Sequence, residues 1–239
     1  MDKRTLKDLL YGQVARIGRA LASPKRLEIL ELLAQGEKSV EALTRELGID
    51  VKLASSHLTA LKDACLVTSR SAGKYRVYRL RDTDGMAQLG VALRSVATTH
   101  LQDLQSALRH MLSGPQPITA VDRRALLAQA RRGEIVVLDV RPAEEYDTAH
   151  LPYARSLPLA ELKNRLVGLP RDKVIVAYCR GPFCMLSDEA VQRLLLRGFS
   201  AQKMADGVSE WRAAGFRLDT SDSGHRAARG HGAVSASAS

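Results

Sequence analysis

The run Val174-Ile175-Val176-Ala177-Tyr178-Cys179-Arg180-Gly181-Pro182-Phe183-Cys184 decides the architecture of the second half of this chain. Its first five residues are apolar without interruption, which predicts a buried strand. Ser187 to Arg197 reads as a helix that ends before Gly198, so the segment is strand, short loop, helix. A cysteine at such a turn sits where backbone N–H groups and the positive end of a helix dipole converge. That setting favours thiolate over thiol, and the thiolate is the nucleophile. Cys179 is therefore the candidate reactive residue. Arg180 is expected to add positive charge or to gate access. Gly181 and Pro182 shape the turn, and Phe183 is expected to pack against the domain.

Outward from this loop, residues 120–218 alternate helix-like and strand-like segments, the pattern of an α/β domain with a central, mostly parallel sheet. Ile135-Val136-Val137-Leu138-Asp139-Val140-Arg141 is a second apolar strand ending in charge. Asp139 and Arg141 read as ties between the strand end and neighbouring loops. Residues 114–119, Gly-Pro-Gln-Pro-Ile-Thr, read as a linker in which two prolines stop any helix. Residues 219–239 are rich in Ser, Ala, Gly, His and Arg without hydrophobic period and are expected to be disordered.

Residues 1–113 read mostly as helices. Ser23 with Pro24 opens one that is expected to bury Leu27, Leu30 and Leu33 and to close at Gly36. A short helix, Val40 to Leu47, stops at Gly48; Asp50 then caps a third, Val51 to Ala64, with Ala54, Leu58 and Leu61 inward. Two helices joined by a Gly-containing turn predict a helix-turn-helix. Leu66–Arg70 and Arg76–Leu80, joined through Ser71-Ala72-Gly73-Lys74, predict a β-hairpin wing. One long helix is expected from Met86 to Leu112. Its apolar stripe, with that of the N-terminal helix Leu6–Ala22, predicts a homodimer interface.

Between Lys52 and Arg81 stand seven basic side chains against one acid, Asp63. Such charge supplies phosphate affinity. The outward side of the third helix offers Lys52, Ser55, Ser56, Thr59 and Lys62, and the wing offers Arg70, Lys74 and Arg76. Side chains of a recognition helix read base edges in the major groove, so double-stranded DNA is the expected partner. His57 reads either as a further contact or as a packed, hydrogen-bonded histidine.

The whole-chain balance agrees. Of 239 residues, Lys and Arg number 36 against 26 Asp and Glu, a net charge of +10 that suits a polyanionic partner. Three cysteines, Cys65, Cys179 and Cys184, make no secreted disulfide framework. Nothing resembles a signal-peptide core or a membrane span, so a cytoplasmic protein is expected. Cys65, just after the recognition helix, is expected to be a buried, inert thiol.

The stretch Ala22-Ser23-Pro24-Lys25-Arg26-Leu27-Glu28-Ile29-Leu30, then Ser56-His57-Leu58-Thr59-Ala60-Leu61 and Tyr75-Arg76-Val77-Tyr78-Arg79-Leu80, resembles the ArsR family of winged-helix repressors. The resemblance implies a homodimer on a palindromic operator, released when an inducer is sensed. It does not extend to that family's metal sites. No cysteine falls near Glu37–Glu41, and Ser95 and Thr98 stand where ligands would be needed. No metal and no cofactor are expected.

Asp139-Val140-Arg141, His150, and Gly207 with Trp211 resemble the rhodanese (sulfurtransferase) domain, and Cys179 falls where that family places its persulfide-forming cysteine. Tyr153 replaces a common glycine, Asp206 replaces one of a usual glycine pair, and Cys184 ends the loop in place of arginine, serine or threonine. A persulfide on Cys179 could be attacked by Cys184; the plainer reading is that Cys184 fills the loop's end. Together the halves predict a DNA-binding repressor that handles sulfane sulfur at Cys179, from a persulfide, polysulfide or thiosulfate donor. The alternative is a working sulfurtransferase whose DNA-binding half sets its own expression.

Overall fold

Residues 1–112, 118–119 and 122–221 are described by the computed structural model. They fall into two compact units, one ending at Ala87 and the other beginning at Gln88.

In the first unit each helix is opened by its own side-chain chemistry. The Asp2 carboxylate accepts the N–H groups of Arg4 and Thr5 to start α1 (Lys3–Leu21). Pro24 opens α2 (Pro24–Leu33). The Ser39 hydroxyl caps α3 (Val40–Leu47), which Gly48 ends at a φ of +62°. The Asp50 carboxylate caps α4 (Val51–Asp63). A three-stranded antiparallel sheet follows the order β1, β3, β2, built of β1 (Lys38–Ser39), β2 (Val67–Ala72) and β3 (Tyr75–Leu80). Strand β1 went unseen in the sequence because two residues carry no periodicity.

Ile29, Leu30, Leu33, Leu43, Leu58, Leu61 and Val67 form this unit's core. Leu27, expected inside, is 40% exposed: α2 buries the face of Ile29, Leu30, Leu32 and Leu33 instead. Cys65, expected buried, is exposed at a φ of +60°. The Leu66 N–H bonds the Leu61 carbonyl and the Cys65 N–H bonds that of Lys62. This is a Schellman ending of α4, in which Cys65 occupies the left-handed position that glycine usually fills.

The single helix expected to Leu112 is two, α5 (Thr83–His100) and α6 (Gln102–Leu112). The Thr98 and Thr99 hydroxyls donate back to carbonyls of the preceding turn, and Gln105 Nε2 donates to the Thr98 and Thr99 carbonyls at 2.9 and 3.0 Å. Side chains thus take acceptors that a continuous helix would use, and the helix is interrupted at Leu101.

The second unit holds a five-stranded parallel sheet in the order β4, β8, β7, β5, β6. Its strands are β4 (Ile118–Thr119), β5 (Ile135–Asp139), β6 (Arg155–Ser156), β7 (Val174–Tyr178) and β8 (Ala201–Met204). Ile118 and Thr119, expected in the linker, are therefore an edge strand; the rest of the expected linker, residues 114–117, lies outside the described residues. Helices α7 (Arg123–Arg131), α8 (Ala143–Thr148), α9 (Leu159–Leu162), α10 (Leu186–Leu195) and α11 (Val208–Ala213) complete the unit, with a 3-10 turn at Leu166–Gly168.

Strand alternation divides the apolar run between two cores. Val136, Leu138, Ile175, Ala177 and Cys179 face one cluster with Val191 and Leu194 of α10. Val137, Val176 and Tyr178 face the other with Leu126 of α7 and Trp211 of α11. Tyr153, which stands where rhodanese domains commonly have glycine, holds a φ of +65°. Asp206, the other departure, is paired with Arg123 at 2.6 Å. From the expected tail, Asp219 bridges His150, and Ser221 bonds Asp147; residues 222–239 lie outside the described part.

Candidate functional site

Cys179 follows the last residue of β7, at the carboxyl end of a central parallel strand, where open α/β sheets place their ligands. Its side chain is 1% exposed. As a thiol it donates to the Cys184 carbonyl oxygen at 3.5 Å. As a thiolate it has four donors: the Cys184 thiol, the Ser187 hydroxyl at 3.5 Å, and the Ser187 and Gly181 backbone N–H groups. Burial pushes the Cys179 thiol up, but these donors outweigh it and hold it at about 7. The Cys184 thiol is pushed up, first by donating to Cys179 and then by burial. The two sulfurs therefore share one proton, which rests on Cys184.

The frame of the loop is made of ion pairs. Arg180, expected to lend charge to the sulfur or to gate it, turns its guanidinium to Glu145 of α8, Nε to Oε2 at 3.0 Å. Glu145 is 3% exposed, so Arg180 serves to neutralise a buried carboxylate and fix the loop's first residue. Behind the strand ends Arg141, fully buried, donates to the Asp139 carboxylate and to the Ala149 carbonyl at 2.8 Å, while the Tyr178 hydroxyl donates to the same carboxylate. Burial alone would lower the Arg141 pKa; the Asp139 contacts more than offset that and raise it. These two residues tie the end of β5 to the loop after α8 and to Tyr178 of β7.

Gly207 and Glu210 complete the frame. A Cβ at Gly207 would stand 2.3 Å from the Arg180 carbonyl carbon and 2.6 Å from the Cys179 carbonyl oxygen, so only glycine lets α11 approach. The Glu210 carboxylate accepts the Gly207 N–H at 2.9 Å. Phe183 is 39% exposed, and Pro182 is half-buried. The Cys179 sulfur is met by backbone N–H groups together with the Cys184 thiol and the Ser187 hydroxyl.

In the first unit Lys52, Ser55, Ser56, Thr59 and Lys62 all lie exposed along α4, whose buried face is Ala54, Leu58 and Leu61. Lys74 and Arg76 are exposed on the wing, on either side of Tyr75. Arg70 is exposed but bonded to Glu37, Nε to Oε2 at 3.1 Å. His57 is half-buried. Among the described residues no group of three or more His, Cys, Asp or Glu is placed to hold a metal ion.

Two family models match, "Bacterial regulatory protein, arsR family" over residues 23–69 and "Rhodanese-like domain" over residues 122–214. The HTH-type transcriptional regulator Rv0324 of Mycobacterium tuberculosis is 42% identical over 213 residues, 89% of this chain and 93% of its own. The chain belongs to the ArsR family of transcriptional regulators, with a rhodanese-like domain at its C-terminal side. A tRNA sulfurtransferase of Desulfurococcus amylolyticus is 35% identical over 82 residues, 34% of this chain and 16% of that enzyme. A solved winged helix-turn-helix domain, Mb0332 of Mycobacterium bovis, described as homodimeric, is 42% identical, covers 43% of this chain and 93% of its own, and has a TM-score of 0.39.

In this ArsR-family regulator the sequence pointed to the candidate loop but not to its supports. Ser187, Glu145 and Glu210 were missed as parts of the site. Ser187 carried a signal, since the first turn of a helix after a nucleophile aims its N–H groups and short hydroxyls at that nucleophile. Glu210 carried a local signal as the third helical residue after Gly207; Glu145 carried none, because its pairing with Arg180 depends on tertiary placement.

Proposed function

We propose that this regulator binds operator DNA as a homodimer and takes a sulfane sulfur atom onto Cys179, and that this changes its hold on DNA. The observation that carries the reading is a buried thiol held at about 7 by converging donors, beside a second thiol that keeps its proton. Uptake balances as Cys179–S⁻ plus R–S–SH giving Cys179–S–SH plus R–S⁻. The same donors that hold the thiolate suit the persulfide anion, while the Arg180–Glu145 pair holds the loop's shape. A second step is open to Cys184. Its sulfur attacks Sγ of Cys179 while its proton passes to the outer sulfur of the persulfide anion; the bond to that sulfur breaks, HS⁻ leaves, and a Cys179–Cys184 disulfide remains. Both thiols are oxidised, and the sulfane sulfur is reduced to sulfide.

The DNA contacts proposed are Lys52, Ser55, Ser56, Thr59 and Lys62 on α4, with Lys74 and Arg76 on the wing, supported by their exposure and charge. Exposed Leu6, Leu9, Leu10, Tyr11 and Val14 on α1, and Leu89, Leu93 and Val96 on α5, support self-association.

The test is operator affinity of the wild type, Cys179→Ser and Cys184→Ser, with and without inorganic polysulfide. Polysulfide is expected to change wild-type affinity and leave Cys179→Ser unmoved; equal responses in all three would overturn the reading. Rapid thiosulfate-to-cyanide turnover, lost in Cys179→Ser while DNA affinity ignores sulfur, would favour a sulfurtransferase instead.

A further inference from the structure

Glu210 is a buried carboxylate set against the sulfur loop. A Cβ placed on Gly181 would stand 3.1 Å from its Oε2 and 3.3 Å from its Oε1, and the Gly181 N–H is one of the donors to Cys179. A negative charge there opposes a second negative charge on Cys179. Its compensation comes from far away in sequence. The Arg94 guanidinium of α5 bonds Glu210 Oε1, with the two side chains 21% and 7% exposed. Helix α5 begins at Thr83, before the end of the first compact unit, and runs on into the second.

We infer that Arg94 is a positioning residue of the sulfur loop, and that its ion pair with Glu210 links the charge on Cys179 to the placement of α5. The inference rests on the sulfur-uptake reading above and names its route to the DNA-binding half. Arg94 offsets the carboxylate that abuts Gly181, so it favours the anion on Cys179. By reciprocity the anion favours the paired position of Arg94 by the same factor. A persulfide is larger than the thiol and more acidic, so the group is more fully ionised, and its arrival therefore alters how firmly α5 is held. The other charged groups around the loop are already matched nearby: Arg180 with Glu145, and Asp188 with Lys203. The Glu210 partner comes from α5, which begins in the first compact unit.

The experiment uses the full-length wild type, Arg94→Ala, Arg94→Lys, Glu210→Gln and the Arg94→Ala/Glu210→Gln double variant. The DNA is a duplex selected from a random pool by the wild type, and the sulfur probe is inorganic polysulfide. Two quantities are read: the pH midpoint of Cys179 alkylation by mass spectrometry, and operator Kd with and without polysulfide. Arg94→Ala is expected to raise the midpoint by roughly 0.5–1 pH unit and to abolish the polysulfide-dependent change in Kd. Arg94→Lys should restore both. The double variant should return the midpoint to the wild-type value, since the opposing carboxylate is gone, yet leave Kd unresponsive. An Arg94→Ala protein with the wild-type midpoint and the wild-type Kd response overturns the inference while sulfur uptake stands. A wild type that polysulfide never labels at Cys179 overturns sulfur uptake itself, and the inference with it.

Discussion

At the scale of single residues the chemistry turns on one shared proton. Cys179 at about 7 is roughly half ionised at neutral pH, because four donors outweigh its burial. Its lowered pKa means that reactivity is present above pH 7 and is lost as pH falls through that value. Ser187→Ala removes one donor and should raise the alkylation midpoint by roughly 0.5–1 unit, measured as iodoacetamide rate against pH with peptide mass spectrometry. Cys184→Ser keeps a hydroxyl donor near the sulfur; its midpoint should stay within roughly half a unit of the wild type, while the disulfide can no longer form. An unchanged Ser187→Ala profile would count against the cradle. Cys179 and Cys184 were legible in the sequence because reactive type and strand-to-helix position coincide there. The direction of Arg180 was not: an arginine beside a nucleophile looks the same in sequence whether it faces the sulfur or, as here, Glu145.

Elements decide how those residues are held. Helix α11 meets the loop through Gly207, where an added methyl would collide with backbone atoms of Cys179 and Arg180 that cannot swing aside. Gly207→Ala should therefore cost about 1–3 kcal/mol in chemical denaturation and slow Cys179 alkylation, since the loop must move off its donors. On the DNA-reading side, Arg70 shares its charge with Glu37 whereas Lys62 is exposed and belongs to no ion pair among the described residues. Lys62→Ala should lower the salt slope of operator binding by about 1, and Arg70→Ala by clearly less. Equal slopes for the two variants would show that the Glu37 pair does not restrain Arg70 on DNA. Helix and strand positions followed from caps and periodicity, as with Asp50 before α4 and the apolar run of β7. The break at Leu101 was hidden because its cause is Gln105 reaching back seven residues to the Thr98 carbonyl, while the apolar stripe continues unbroken across it. The exposure of Cys65 was hidden for a similar reason: a Schellman ending needs only a left-handed residue, and cysteine is not the residue one looks for there.

At the scale of the whole molecule, a single chain leaves too much apolar surface uncovered for its size of core. On α1, Leu10 is 57% and Val14 69% exposed, and on α5 Leu93 is 40% and Val96 60% exposed. These positions recur at helical spacing on each helix, so each forms a stripe and not scattered contacts. Water-exposed stripes of this kind are stable when a second copy covers them, and a two-fold dimer would also present two recognition helices to two half-sites. Charge placed in the stripe should separate the copies at little cost to either fold, because the native side chains there lie largely outside the cores. Leu10→Arg with Val14→Arg, and separately Leu93→Arg, should shift sedimentation from dimer to monomer. Operator affinity should fall by about tenfold or more, since a monomer gives up the second half-site. Cys179 alkylation should keep its midpoint in the α1 variant, as no residue of α1 belongs to the sulfur loop. A monomeric wild type, or arginine variants that remain dimers with full operator affinity, would remove dimerisation through these faces from the account and leave each chain to bind DNA alone.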